Sequence, residues 1–152
     1  AEYAEYKKFE AAVKGLPPEK RETAWKAYLK DSRDTATPTG MVRFLKALVS
    51  GKLLSENSTQ KLLAIMAKTA TGRDRLMAGV PKGWSLGHKT GTSPSWGGMT
   101  AATNDVGILT SPDGRKVAVA VFVADSKKPR DEQAAIIASA AKHVTKTYGA
   151  DR

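Results

Sequence analysis

Lys89-Thr90-Gly91-Thr92-Ser93 is the string in this sequence richest in usable chemistry. A lysine at the end of a strand supplies a fixed positive charge, Thr90 and Thr92 supply hydroxyl donors, and Gly91 lets a ligand lie against the backbone with no side chain in the way. Such a set suits a carboxylate-bearing ligand whose carbonyl is polarised by a backbone N–H. The same tripeptide also serves as a strand-to-turn transition with a solvated lysine, since turns favour glycine, so the surroundings must decide. Between Lys61 and Lys89, the bases Lys61, Lys68, Arg73, Arg75, Lys82 and Lys89 face a single Asp74, a local field suited to a small anion. The rest of the formal charge of +10 is differently arranged. Lys7, Lys8, Lys14, Lys20 and Arg21 are interleaved with Glu2, Glu5, Glu10, Glu19 and Glu22, the pattern of solvated helix faces. That interleaving, with no aromatic platform beside it, argues against nucleic acid and against a membrane as partner. Cysteine is absent, so disulfides and thiolate metal sites are excluded, and His88 and His143 are too isolated to suggest a metal. No cofactor is called for.

The elements that must position this string follow from periodicity. Tyr6, Phe9 and Val13 share a helical face, Gly15-Leu16-Pro17-Pro18 breaks the chain, and Ala24, Trp25, Tyr28 and Leu29 resume the period. After the polar loop Asp31-Ser32-Arg33-Asp34, Thr37-Pro38 reads as an N-cap followed by proline at the first helical position. Met41, Leu45 and Leu48 form the stripe of that helix and Gly51 ends it. Ser55 caps a further helix, with Leu62, Leu63, Ile65 and Met66 on its buried side and Thr71-Gly72 as its end. From Gly83 the period becomes two: Trp84, Leu86 and His88 alternate with Ser85, Gly87 and Lys89, a strand with one apolar face and one face ending on the lysine. Val106 to Leu109 and Val117 to Ala124 are two more apolar runs, joined by Ser111-Pro112-Asp113-Gly114, a strong hairpin signal. The second run is apolar on both faces, which predicts a central strand covered on each side, while Asn104-Asp105 is read as organising the turn into the first. A helix over about Asp131 to Tyr148, with Ile137, Ala141, Val144 and Tyr148 in register, closes the chain. Three antiparallel strands flanked by helices make an α+β fold. At 152 residues this is one domain or part of one. No apolar run reaches the roughly 18 residues of a membrane helix, and the start at Ala1 reads as that of a processed or truncated chain.

Three strings in fixed order carry a family resemblance: Gly87-His88-Lys89-Thr90-Gly91-Thr92-Ser93, then Met99-Thr100-Ala101-Ala102-Thr103-Asn104-Asp105-Val106-Gly107, then Pro112-Asp113-Gly114-Arg115. Together they resemble class A serine β-lactamases, especially the extended-spectrum branch with His before Lys-Thr-Gly. Arg33-Asp34-Thr35-Ala36-Thr37-Pro38 looks like the exit from that family's omega loop, so the resemblance covers about Arg33 to Tyr148. It implies an antiparallel sheet flanked by helices, here its C-terminal half. Residues 1–37 would be helices of the omega-loop region, 38–82 part of the helical subdomain, and 83–152 three strands and the last helix of the α/β subdomain. It implies that Lys89 and Thr90 bind the substrate carboxylate along Gly91, and that the backbone N–H of Thr92 forms half of an oxyanion hole. Arg75 matches the position from which some members send a guanidinium beneath the strand; an exposed helix-end arginine is the alternative. Ser93 and Trp96 would line the rim, Trp84 would be core, and Asp34 would close the omega loop through an ion pair. The implied partner is a β-lactam or a peptidoglycan-like carboxylate, and the implied location is the bacterial periplasm or the exterior.

The sequence also departs from the family. Its chemistry needs Ser-x-x-Lys for the nucleophile and Ser-x-Asn for proton transfer besides Lys-Thr-Gly. Ser58-Thr59-Gln60-Lys61 and Ser139-Ala140-Ala141-Lys142 fit the first pattern and Ser55-Glu56-Asn57 the second, but all sit in ordinary helical contexts and read as chance matches. The omega-loop glutamate has its nearest equivalents in Glu22 and Glu19, with Glu10 and Glu5 further off; Lys26 and Thr23 stand where the family has Asn. Two strands of the family's five-stranded sheet precede anything in this chain. The expectation is therefore an incomplete enzyme that pairs with a missing N-terminal half, the source of the serine. The alternatives are a penicillin-binding or D-alanyl-D-alanine peptidase-like acyltransferase, and a non-catalytic module for anionic cell-wall fragments.

Overall fold

A computed structural model describes residues 2–33 and 35–149. Asp34 and its expected ion pair therefore lie outside the described residues. The chain divides into two compact units, Ala1–Thr35 and Ala36–Arg152. The first holds helices α1 (Glu2–Lys14) and α2 (Pro18–Tyr28). Pro17 and Pro18 break between them, and Pro18 stands at the first helical position, where its missing N–H costs nothing. Two helices make too little surface to bury each other's apolar face. Tyr6, Phe9 and Leu16 stay exposed, and Trp25 rests its ring 5.7 Å from that of Tyr28.

The second unit is a sheet with helices on both faces. Helices α3 (Pro38–Val49) and α4 (Glu56–Ala67) precede strands β1 (Ser85–Thr92), β2 (Ser95–Trp96), β3 (Met99–Thr110) and β4 (Lys116–Ser126), and α5 (Arg130–Gly149) follows. Both expected caps form: Thr37 Oγ1 accepts the Gly40 N–H at 3.0 Å, and Ser55 Oγ accepts that of Ser58 at 3.3 Å. Helix α4 ends at Ala67, before the expected Thr71-Gly72, and Ile65 turns outward while Met66 is buried. One apolar layer joins Leu45, Leu48 and Met66 to Val106 and Ala118. The other joins Leu76, Leu86, Leu109, Val119, Ile137 and Ala141, with Trp84, Val121 and Val144 packed against it. Tyr148, expected on that helical stripe, is exposed.

Three expectations about the sheet are corrected. There are four strands among the described residues, because Ser95–Trp96 folds back on Thr100 and Met99. Strand β3 starts at Met99, not Val106, so Asn104 and Asp105 lie inside a strand and not at a turn. The polar half of β3 is held by side-chain partners where apolar alternation is lacking: Thr103 Oγ1 donates to Gln133 Oε1 of α5 at 2.5 Å, and both residues are buried. The central strand is β3, paired antiparallel with β1, β2 and β4, whereas β4 pairs with β3 alone among the described residues. Helices on both faces make a strand apolar on both sides whatever its lateral place, so the Val117–Ala124 pattern reports the layers and not the strand order.

The β3–β4 turn is built as its sequence suggests. Gly114 takes φ +87° and donates its N–H to the Ser111 carbonyl at 2.9 Å. Asp113 accepts the Ser111 hydroxyl and the Arg115 guanidinium. Chiefly the Ser111 hydrogen bond holds its carboxyl below the usual range, at about 2 against 3.8. A carboxyl depressed on folding contributes stability that is present above its unfolded value and lost as pH falls through the folded one. Asp113→Asn should therefore flatten the fall in urea midpoint between about pH 4 and pH 2. An unchanged acid limb would contradict this reading of the turn.

Candidate active site

Strand β1 carries the Lys-Thr-Gly string along the margin of the sheet, paired on its inner side with β3 from Ser85↔Thr110 to Thr92↔Thr103. Alternation sends Lys89 and Gly91 to one face and His88, Thr90 and Thr92 to the other. Lys89 is exposed, and its ammonium donates to the Thr90 carbonyl at 2.5 Å. Ser93 donates its N–H inward to the Ala102 carbonyl at 2.9 Å. One residue earlier, strand alternation points the N–H of Thr92 to the outer edge. Ser93 Oγ accepts the Ala102 N–H at 2.9 Å, which ties the residue after β1 to β3. Trp96, half-buried on β2, stands on that same hairpin.

The segment Thr69 to Leu76 runs beside β1 as a strap. Thr69 Oγ1 donates to the His88 carbonyl at 2.5 Å, and the hydroxyls of Thr71 and Thr90 are 2.8 Å apart. Gly72, at φ +63°, admits no side chain: a Cβ there would stand 2.5 Å from the Thr90 methyl. Arg75 then reaches under the strand. Its Nη1 donates to the carbonyls of Gly91 at 3.1 Å and Asn104 at 2.9 Å, and its Nη2 to Thr92 Oγ1 at 2.6 Å. A fixed guanidinium, an ammonium, two threonine hydroxyls and an outward N–H thus lie along one strand end. This arrangement can bind a carboxylate and polarise a carbonyl next to it.

Two further candidates of the second unit, Ser58 and Ser139, lie on helices and not on β1. Ser58 is exposed on α4, bonded to the Ser55 hydroxyl at 3.1 Å, and Ser139 donates to the Ile136 carbonyl on the outer side of α5. Glu22 belongs to the Ala1–Thr35 unit, where its carboxylate pairs with Lys26 at 2.7 Å; there too Glu5 pairs with Lys8, Glu10 accepts the Tyr6 hydroxyl, and Thr23 donates to the Glu19 carbonyl. Sequence reasoning missed the strap. Thr69, Ala70 and Thr71 alternate as an edge-hugging segment would, yet Thr71-Gly72 is legible as a helix terminator and, by the family resemblance, as the start of a segment running to Pro81 and into the motif strand, not as a partner of that strand. It missed also that His88 and Asp105 form a buried pair, His88 Nδ1 lying 2.9 Å from Asp105 Oδ1. Among the described residues no group of three or more His, Cys, Asp or Glu could hold a metal, and no helix is long and apolar enough to cross a membrane.

Residues 8–148 match the model of the β-lactamase enzyme family. The β-lactamase VEB-1 of Pseudomonas aeruginosa is 43% identical over 109 residues, which cover 70% of this chain and 36% of that protein. The extended-spectrum β-lactamase PER-1 of the same organism is 46% identical over 103 residues, 68% of this chain and 33% of its own. The crystal structure of a representative class A β-lactamase from Bacteroides cellulosilyticus superposes with a TM-score of 0.73 at 38% identity, covering 76% of this chain and 42% of that one. The chain spans less than half the length of each of these relatives. The antiparallel sheet flanked by helices agrees with this likeness, and the chain belongs to the class A β-lactamase family.

Proposed function

We propose that this chain forms the carboxylate-binding half of a serine β-lactamase active site. The observation that carries the reading is that the Arg75 guanidinium is held at the end of β1 by the Gly91 carbonyl and the Thr92 hydroxyl, on the strand that also bears Lys89 and Thr90. Lys89 and Thr90 bind the substrate carboxylate, Arg75 adds a planar anion contact, and Gly91 lets the ligand lie along the strand. Ser93 and Trp96 border the acyl side chain. The Thr92 N–H stabilises the oxyanion as a serine oxygen adds to the β-lactam carbonyl. The ring C–N bond then breaks, its nitrogen takes a proton, and water hydrolyses the ester to regenerate the serine. That serine and its lysine come from a portion of the fold N-terminal to these 152 residues, which also supplies the missing strands. In this reading residues 1–37 belong to the omega-loop region, 38–82 to the helical subdomain and 83–152 to the α/β subdomain. Glu22 is the candidate base for deacylation, and the protein works in the periplasm or outside the cell.

A penicillin-binding or D-alanyl-D-alanine peptidase-like acyltransferase would share the acylation step and lack fast hydrolysis. A chromogenic cephalosporin given to the protein completed by its nucleophile-bearing portion separates the readings. Continuous turnover over many equivalents is expected. A single-equivalent burst that leaves a lasting adduct would instead identify the acyltransferase, and no adduct at all would identify a binding module.

A further inference from the structure

A buried hydrogen-bonded pair under the motif strand has no part in the proposed β-lactam chemistry. His88 and Asp105 project from neighbouring strands to the same face and are 1% and 0% exposed. His88 Nδ1 lies 2.9 Å and 3.0 Å from the two oxygens of Asp105. An imidazole nitrogen this close to a carboxyl oxygen shares a hydrogen bond with it. Asp105 Oδ2 also accepts the backbone N–H of Leu76 at 3.2 Å. Leu76 directly follows Arg75, and the carbonyl of Asn104, directly before Asp105, accepts the Arg75 guanidinium at 2.9 Å. The arginine is thus gripped from β3 at both ends, its backbone through the Asp105 carboxylate and its guanidinium through the adjoining carbonyl. Apolar residues of like volume often fill a core as well as a buried polar pair does. What apolar residues cannot do is accept the Leu76 N–H.

We propose that His88 and Asp105 are positioning residues that fix the Leu76 N–H and so aim the Arg75 guanidinium at the carboxylate end of the Lys89-Thr90-Gly91 site. Only the identity of that carboxylate rests on the β-lactamase reading. The coupling is a property of the fold. His88 orients Asp105 by its hydrogen bond, Asp105 holds the start of the 3₁₀ turn Leu76–Gly79, and that turn sets where the Arg75 stem leaves the backbone.

The test reads Arg75 itself in the full chain, through hydrogen exchange of its guanidinium Nε–H by NMR, assigned with Arg75→Lys. The double variant His88→Leu/Asp105→Leu keeps the core filled and should raise that exchange at least about 10-fold while the backbone spectrum stays that of the folded protein. His88→Asn leaves a donor where Nδ1 sits and should keep the exchange within about 2-fold of the parent. A folded double variant with parental Arg75 protection overturns the proposal, whatever its melting temperature. If the double variant does not fold, His88→Asn is set against His88→Gln, which moves the donor to the place of Nε2. Looser Arg75 in the Gln variant alone upholds the coupling, and equal protection overturns it. Because no catalysis is measured, failure of the β-lactamase reading leaves this result untouched, and the reverse also holds.

Discussion

In the protein completed by its nucleophile-bearing portion, Lys89→Ala should lower kcat/KM for a carboxylate-bearing β-lactam by about 10- to 150-fold. A hydrogen bond to a charged partner contributes about 1.5–3 kcal/mol, and each 1.4 kcal/mol is a factor of ten in rate. The Lys89 ammonium stands at the exposed end of β1, and its bond to the Thr90 carbonyl can be exchanged for a ligand oxygen without disturbing the core. The loss should largely vanish when the substrate carboxylate is masked as a neutral ester, because an alkyl ester offers no charge for the lysine to answer. Steady-state kinetics with the acid and its ester decide the matter. An equal loss for both would mean that Lys89 acts on something other than the carboxylate.

Gly79→Ala should destabilise the fold by at least about 3 kcal/mol, at or beyond the upper end of ordinary overpacking costs. Gly79 closes the 3₁₀ turn after the strap and is buried against α5. A Cβ there would stand 2.1 Å from the Ala138 carbonyl oxygen, 2.7 Å from the Ala141 Cβ and 3.0 Å from the Lys142 nitrogen. Those are mostly backbone atoms of a helix, so no rotamer change relieves the contact and the turn must lift away from α5. The same turn begins at Leu76, next to Arg75, so whatever variant remains folded should also bind carboxylate ligands more weakly. Urea denaturation at neutral pH measures the first effect. A shift of less than 1 kcal/mol would show that the turn and α5 separate easily.

Local signals carried the helices and the first strand. Thr37-Pro38 and Ser55 state their caps outright, and the two-residue period from Trp84 to His88 is strict enough to set which face of β1 is buried. Where partners lie far away in sequence, the signals fail. The early part of β3 is threonine, alanine and asparagine, residues with no apolar alternation, and it is a strand because β1 and β4 bind it on both edges and Gln133 meets Thr103 thirty residues away. Asp105 reads as a turn residue by composition, but burial beside His88 places it mid-strand. Lateral order was likewise hidden: β4 is apolar on both faces because helices cover both, which says nothing about its neighbours. Of the site, the motif itself was legible and the hold of the strap on it was not, since Thr69 and Thr71 make their hydrogen bonds 19 positions onward, Arg75 reaches Gly91 16 positions onward, and Gly72 packs against the Thr90 methyl.

The proposed function divides the labour: the anion-binding strand would lie in this chain and the nucleophile outside it. Intact mass and peptide mapping after treatment with benzylpenicillin test that division, using the chain by itself and the chain joined to an N-terminal portion bearing Ser-x-x-Lys and Ser-x-Asn. The predicted result is no covalent adduct on the chain by itself, and in the joined protein one adduct on the Ser-x-x-Lys serine with none between residues 1 and 152. An acyl group on Ser58, Ser139 or any other serine of this chain would contradict that division.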